Sequence, residues 1–546
     1  MTSALMPSDM EATPYTLVAA DVGARPQNTY RRIKLAAISF AAVAAIAFLI
    51  PRPHVEWAIP RLPFRQRAFI IPRPHVDWEI PRLPFRQRYI EMQDEPPPLK
   101  MLLIMDWHAD PFYNQSLGPL CKCNNATGRA TSACVLQKEA SRYGQIGCDA
   151  PPALNAASLE AAAAALPQPD LVLVLGDLVM HKAPSKKLTM QIFDEMSASI
   201  AKTFPNKPKA CTVPLGNADV FPDYYVNNSD TQYYEAQAKV AMEHCGIDAV
   251  TAKRFSRYGY YNLTMVKHRL LVLVINTNIY SPENCPDGVY GDGLYGDEES
   301  GFTHNVCGKD PLGQFEWLEQ QLSTAESLGY RVHIHGHIPP VVDSYERIDM
   351  WAKAYTPMFW NLVERHADIL SGLFFGHFHS AEVRATRRMN AKSTPALQIL
   401  SSVSPSYKSY PVFYTATYSP RTYLIETFMQ HSLNLETVGE GEDAEFVASP
   451  RAVPTTGLTN ADYLKWAELW RTPAGDASFT AFFDQFKAGY HGDQRNDCTQ
   501  VSDRFDECAT CTGGCRAAFT CLMSHGTSTS EYQACVTEYV WHPFHG

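Results

Sequence analysis

Five short motifs in this chain carry side chains able to hold cations, and each directly follows an apolar run. Met101-Leu-Leu-Ile-Met105 leads into Asp106-Trp-His108, and Leu171-Val-Leu-Val-Leu175 into Gly176-Asp177. Ala210-Cys-Thr-Val213 runs through Pro214-Leu215 to Gly216-Asn217, Arg331-Val-His-Ile334 meets His335-Gly-His337, and Leu373-Phe-Phe375 precedes Gly376-His377-Phe-His379. In extended chain, residues i and i+2 point to the same side, so Asp106 with His108, and His377 with His379, face one site together. A glycine before the donor lets the backbone turn sharply and approach closely. Carboxylate, amide and imidazole donors without a thiolate suit borderline divalent metals such as Zn, Mn or Fe. A carboxylate such as Asp177 can bridge two ions, and two ions about 3.5–4 Å apart clamp the attacking and leaving oxygens of a phosphoryl displacement. Taken singly, a Gly-Asp is a turn and a histidine on an apolar strand is a hydrogen-bonded core residue. Five such motifs in succession favour a metal site.

The apolar runs, together with residues 270–275, read as buried strands. Amphipathic segments alternate with them. Leu312, Phe315, Leu318, Leu322, Ala325 and Leu328 keep a helical spacing that stops at Gly329, and residues 153–166 form a second helical pattern. Strand–helix alternation over some three hundred residues is the pattern of a layered α/β domain. In open α/β sheets ligands bind outside the carboxyl ends of the strands, where all five motifs stand. Residues 396–428 read as further strands.

The ordered set D-x-H, GD, GN, H and GH-x-H resembles the calcineurin-like metallophosphoesterase superfamily. Its acid sphingomyelinase and sphingomyelinase-like phosphodiesterase branch is more similar. That likeness is carried by Asp106-Trp-His-Ala-Asp-Pro-Phe-Tyr113, Gly176-Asp-Leu-Val-Met-His181, Ile275-Asn-Thr-Asn278, Gln314-Phe-Glu-Trp-Leu318, Gly336-His-Ile-Pro-Pro340, Phe375-Gly-His-Phe-His379 and Ser402-Val-Ser-Pro405. The resemblance spans residues 99–535, including the Cys-rich tail, and extends to an endopolyphosphatase-like variant.

It implies a β-sandwich flanked by helices, in four αββα layers, holding two divalent metal ions, Zn ahead of Mn or Fe. One ion would be held by Asp106, His108, Asp177 and His379, the other by Asp177, Asn217, His337 and His377, with His181 as the catalytic proton donor. Asp110 and Asp219 would orient the ligands, and Asn278 and Tyr280 would line the pocket. One position departs from the pattern. Sphingomyelinases generally read Gly-Asn-His-Asp, where the His helps protonate the leaving oxygen or steady the phosphoryl group. Here the run is Gly216-Asn-Ala-Asp219, and Ala218 can do neither. A phosphoanhydride needs less acid assistance than an alkoxide, which favours a good leaving group over sphingomyelin.

The rest of the chain concerns placement. With 546 residues, 45% of them hydrophobic, 19% charged and a net charge of −10, the composition is globular and not that of a general nucleic-acid binder. Residues 35–50 are an uncharged apolar run read as a signal anchor, after a cytosolic tail of residues 1–34. Ile50-Pro-Arg-Pro-His-Val-Glu-Trp-Ala-Ile-Pro-Arg-Leu-Pro-Phe-Arg-Gln-Arg67 returns almost unchanged at residues 71–88. Four prolines per copy forbid a helix, so residues 51–98 read as a semi-rigid stalk.

Residues 99–437 are the metallophosphoesterase domain, 438–458 a linker, and 459–546 a Cys-rich helical region. Eight cysteines fall between Cys121 and Cys307 and six between Cys498 and Cys535. Both sets read as disulfides, ahead of a zinc site at Cys508 and Cys511. Together with sequons at Asn114, Asn125, Asn227 and Asn262 they place everything after residue 50 in a lumen (endolysosomal or vacuolar) or outside the cell, or secreted if the anchor is cleaved.

The expectation is a membrane-anchored dinuclear phosphoesterase cutting a phosphodiester or phosphoanhydride. A true acid sphingomyelinase releasing phosphocholine and an endopolyphosphatase are the alternatives, and a pseudoenzyme or receptor follows behind them.

Overall fold

A computed structural model describes residues 97–118, 123–124, 140–205, 211–226, 231–284, 295–297, 302–304, 308–387, 394–438, 442–450, 459–490 and 496–541. The apolar run at 35–50, the 21-residue repeat, and Cys121, Cys134, Cys285 and Cys307 lie outside the described residues. Among those described, no helix is long and apolar enough to cross a membrane.

Two six-stranded mixed sheets form the centre. In the first, β1 (Leu99–Ile104), β2 (Leu171–Val174) and β3 (Cys211–Thr212) run parallel. The other β-strands of this sheet, β12 (Val412–Tyr418), β13 (Ile425–Ser432) and β14 (Val447–Pro450), join antiparallel. β14 falls within the stretch expected to be a linker. In the second sheet β5 (Leu270–Val274), β8 (Arg331–His335), β9 (Leu370–Phe375) and β11 (Leu397–Ile399) run parallel, with β4 (Tyr261–Met265) and β10 (Glu382–Arg384) antiparallel at the edges. A separate hairpin pairs β6 (Tyr295–Asp297) with β7 (Phe302–His304).

The period of two in these strands decides the layers. Met101, Leu103, Leu171 and Leu173 of the first sheet meet Leu270, Val272 and Val274 of the second in one buried core. Leu102, Ile104, Val172 and Val174 point the other way, onto α1 (Pro152–Ala165) and α2 (Lys186–Thr203). Leu271, Leu273, Val332 and Ile334 likewise pack on Phe315, Leu318 and Leu322 of a further helix and on Phe359 and Val363 of the one after it. Helix, sheet, sheet, helix is therefore the order of layers. Between β3 and β4, α3 (Gln232–His244) and α4 (Ala249–Tyr258) close the inter-sheet core with Tyr233, Tyr234 and Phe255. The outer helices on the second sheet are α5 (Gln314–Leu328), capped by Gly329 in the left-handed conformation, and α6 (Tyr355–Arg365).

The Cys-rich region is helical: α7 (Asn460–Leu469), α8 (Asp476–Phe486), α9 (Gly513–His525) and α10 (Thr529–Trp541). Disulfides Cys498–Cys508, Cys511–Cys515 and Cys521–Cys535 tie it, so the Cys508 and Cys511 thiols are not zinc ligands. Cys123–Cys148 ties two loops of the sandwich, and Cys211–Cys245 ties β3 to the end of the helix Gln232–His244. The region shares the inter-sheet core through Trp470, Phe482 and Phe519. It is also stitched on by backbone bonds from Ala385 N–H to the Met523 carbonyl, 2.7 Å, and from Ala381 N–H to the Phe486 carbonyl, 2.8 Å.

At that seam Arg384 and Glu382, each 2% exposed, form a buried ion pair of 2.7 Å. The guanidinium also donates to the Val342 carbonyl, while Glu382 accepts from Ser344 and Ser380. Removing one partner leaves the other charge buried and uncompensated, which costs about 3–5 kcal/mol. Arg384→Met should therefore lower the melting temperature by several degrees. An unchanged melting curve would show that the pair does not hold the seam.

Candidate metal centre

The parallel strands of both sheets end at one edge, and the sequence motifs begin there. The two donors of the first motif follow β1, Asp177 follows β2, Asn217 follows β3, His337 follows β8, and His377 and His379 follow β9. Asp106, His108, Asp177, His377 and His379 all have positive φ, between 43° and 75°. Such backbone costs about 1–3 kcal/mol at each non-glycine residue and persists only where the surroundings over-determine it. Here they do. Asp106 N–H donates to the Gly176 carbonyl, 3.1 Å, His108 N–H to the Asp177 carbonyl, 3.0 Å, and Gly376 N–H to the His337 carbonyl, 3.1 Å.

The imidazoles are aimed by their Nδ1 atoms. A carbonyl can only accept, so Nδ1–H of His108 donates to Val179, 3.0 Å, and Nδ1–H of His337 to Leu175, 2.8 Å. Their Nε2 atoms therefore point into the site. His108 Nε2 stands 3.0 Å from His379 Nε2 and 3.3 Å from Asp177 Oδ2. Nε2 of His337 stands 3.2 Å from the same carboxylate oxygen and 3.1 Å from Asn217 Oδ1. Asp177, His337 and His377 offer donor atoms within 4.8 Å of one another, as do Asp106, His108 and Asp177, and also His108, His181 and His379. The structure thus brings the seven expected side chains together, with Asp177 common to the first two groups.

Five observations bear on whether two cations fit. Nitrogens about 2.1 Å from a shared ion at roughly a right angle lie about 3 Å apart, as His108 and His379 do. Asp106 is fully buried and its Oδ2 has no hydrogen-bond partner among the described residues. Burial pushes the Asp106 carboxyl up to about 8, against the pull of His337, so this anion lacks sufficient positive charge around it. Burial opposes charge on Asp177 too, but His337 and His108 hold it well below the usual carboxylate range. Burial lowers His108 to about 4 and His377 to about 3, which leaves neutral rings able to ligate, whereas Asp177 overcomes burial at His337 and raises it to about 9, so a bound cation would take the place of that ring's second proton. The donor set fits two divalent ions.

Asp219 holds the loops. Its carboxylate accepts from the N–H groups of Asp177, Leu178, Val179 and Gly216 at 2.8–3.2 Å. Asp110 accepts from Phe112 N–H and Asn124 Nδ2, so it fastens its own loop and bonds none of the seven donors. The Ala218 side chain is buried and inert, yet its N–H donates to Asp177 Oδ1, 2.8 Å. Asn278 and Tyr280 are not pocket walls. Asn278 Nδ2 donates to the Gly216 carbonyl, 3.0 Å, and Tyr280 is buried against Phe315 and Trp351. His333 and His335 are buried strand residues facing Phe374 between the sheets.

His181 stacks on His108 with ring centroids 3.6 Å apart. Sequence reasoning missed its partner. Asp149 accepts from His181 Nδ1–H, 2.7 Å, and from the same residue's N–H, 2.9 Å. Burial works against the imidazolium, but the Asp149 charge prevails and raises His181 to about 9. Also missed were Ser406, 3.2 Å from His379 Nδ1, and Tyr407, whose ring lies edge-on to His379. Asp149 follows a disulfide cysteine in a loop, not a strand, so no strand-end pattern marks it.

No family model matches the chain. It is 29% identical to "Sphingomyelinase phosphodiesterase D" of Dictyostelium discoideum over 51% of this chain and 59% of that protein. It is 24% identical to the Bos taurus "Cyclic GMP-AMP phosphodiesterase SMPDL3A" over 61% of this chain and 70% of the relative. The chain thus spans about three fifths of the length of the first of these. Its curated relatives are acid sphingomyelinase-like phosphodiesterases. Among solved structures, a dimetal phosphatase from Danio rerio aligns with a TM-score of 0.37 and 13% identity, covering 64% of this chain and 99% of the other.

Gly216 has no room for a side chain: an added Cβ would lie 2.0 Å from Asp177 Oδ1 and 2.2 Å from the Asp177 nitrogen. Gly216→Ala should displace Asp177 and weaken divalent-metal affinity by at least about tenfold. Metal retained on dialysed protein measures this, and wild-type retention would refute the placement.

Proposed function

We propose that this chain is a two-metal phosphodiesterase, and that the observation carrying this reading is the pair of donor groups sharing Asp177. Asp106, His108 and His379 would hold one ion with Asp177; Asn217, His337 and His377 would hold the other. When bound, the two cations supply the positive charge that activates water and neutralises the phosphoryl oxygens. The donors fit Zn, with Mn or Fe as substitutes.

The chain's own residues do the rest. The Asp219 carboxylate keeps the Asp177 loop in register by gathering four N–H groups. His181 faces the site beside His108, keeps Nδ1–H on Asp149, and so presents Nε2–H to the leaving oxygen. A phosphodiester is favoured as substrate because it is the bond named in the curated relatives, one acting on a sphingomyelin and another on a cyclic dinucleotide by their names. The lipid and the nucleotide remain distinct substrates for the test below, as does polyphosphate. Five disulfides among the described residues support an oxidising lumen or the cell exterior as the place of work. The apolar run at 35–50 would supply the tether.

Purified full-length protein should hydrolyse bis(4-nitrophenyl) phosphate, lose that activity to a strong chelator, and regain it with Zn or Mn. Asp177→Asn should lose at least about a thousandfold, as for a group that serves both ions. Chelator-resistant turnover, or an active Asp177→Asn protein, would end this reading. Parallel assays with sphingomyelin vesicles, a cyclic dinucleotide and polyphosphate select among substrates.

The pH profile tests the acid. Asp149 raises His181 to about 9 without metal, so the donor form is present at lower pH and lost as pH rises through the raised value; bound cations repel the imidazolium and bring that limb below about 9. Asp149→Asn removes the raising partner and should move the alkaline limb down toward the ordinary imidazole value of about 6.5. The loss should be greatest with alkyl leaving groups. A limb that stays in place would remove Asp149 from this role.

A further inference from the structure

Ala218 offers the site no side-chain donor, only the N–H it gives to Asp177, but the loop that carries it does not end there. The chain turns back, and Tyr224 N–H donates to the Asn217 carbonyl, 2.9 Å. This brings the phenol of Tyr224 to the rim of the metal centre. Its ring lies edge-on to His377, with centroids 6.3 Å apart and planes at 88°. Its hydroxyl is 3.5 Å from His377 Nε2, too far for that nitrogen to hold the O–H proton firmly. The side chain is half-buried, so a substrate arriving at the cations can reach it.

The placement is built, not incidental. Tyr224 has φ +65°, a conformation strained for an aromatic residue. A relay of side-chain amides holds it there. Asn284 Nδ2 donates to the Tyr224 carbonyl, 2.9 Å, and to the Asn278 carbonyl, 2.7 Å. Asn278 Nδ2 in turn donates to the carbonyl of Gly216, at the start of the same loop. Asn278 and Asn284 are both buried. Both ends of the loop are thus clamped by one network, and its product is a phenol aimed at the His377 side of the centre.

We propose that the Tyr224 hydroxyl donates a hydrogen bond to a non-bridging phosphoryl oxygen of the substrate, supplying from the far end of the loop the donor that Ala218 lacks. This rests on the phosphodiesterase reading above. The hydroxyl keeps its proton throughout. It stabilises charge that builds on the phosphoryl group, while His181 serves the leaving oxygen. The two donors therefore differ in how they respond to the leaving group.

Tyr224→Phe in the full-length protein keeps the ring and the backbone and removes only the O–H. Against wild type, kcat on bis(4-nitrophenyl) phosphate should fall by about ten- to a hundredfold. The fall should be the same for a diester with a poorer phenyl leaving group, whereas His181→Gln should lose more on the poorer one. Inorganic phosphate should raise the melting temperature of metal-loaded wild type more than that of Tyr224→Phe. Metal content should be equal in the two. A Tyr224→Phe protein with kcat within twofold of wild type and an equal phosphate shift would overturn the proposal. So would a loss traced to missing metal, since the phenol would then be structural. If wild type cleaves no phosphodiester at all, the parent reading fails on its own, and the phosphate shift still tests Tyr224.

Discussion

The arrangement depends on one electrostatic constraint. Asp106, Asp177 and Asp219 are buried together at one edge of the sandwich, among rings that burial keeps mostly neutral. A buried carboxylate is tolerated when it is paired or hydrogen-bonded and is costly otherwise. Asp219 meets that demand with four backbone N–H groups and Asp177 with two imidazoles, while one oxygen of Asp106 has no hydrogen-bond partner among the described residues. The fold therefore keeps anionic capacity in excess at a point ringed by nitrogen lone pairs. Divalent cations are the chemistry that satisfies both kinds of donor at once.

Holding those donors close requires backbone that the chain would not adopt alone. Five of the seven lie at positive φ. The strain is sustained by two sheets whose parallel strands terminate side by side and whose loops exchange N–H bonds across the gap. Glycines stand where loop meets loop, since any Cβ at Gly216 would overlap Asp177. Rigid strands end at the site and the donors sit on the short loops directly after them, so the precision of the centre comes from the layered core behind it.

The Cys-rich helices belong to the same body. Lys487, just after α8, is buried and donates to the Tyr407 carbonyl, 2.9 Å, and to the Tyr345 hydroxyl. Tyr407 packs on His379, and the Tyr345 hydroxyl donates to the Phe378 carbonyl, 2.6 Å. A buried ammonium from the C-terminal region thus braces the wall beside His377 and His379. Phe482, Phe483 and Phe486 of α8 pack on Phe519 of α9, which limits how far that brace can drift.

The sequence by itself determined the layered α/β class and the five donor-bearing motifs at strand ends, because strand periodicity and i, i+2 geometry are local properties; the set of seven ligands came from the resemblance those motifs carry. It left open everything that depends on which loops abut. Asp149 partners His181 across 32 positions. Asp219 collects the amides of another loop, and Tyr224 reaches His377 only because its own loop doubles back on Asn217. Asn278 and Tyr280, expected at the pocket, turned out to stand behind it. Cysteine pairing was likewise undecidable from spacing. Only tertiary structure settles such matters, because a hydrogen bond or disulfide between distant segments leaves no periodicity in either one.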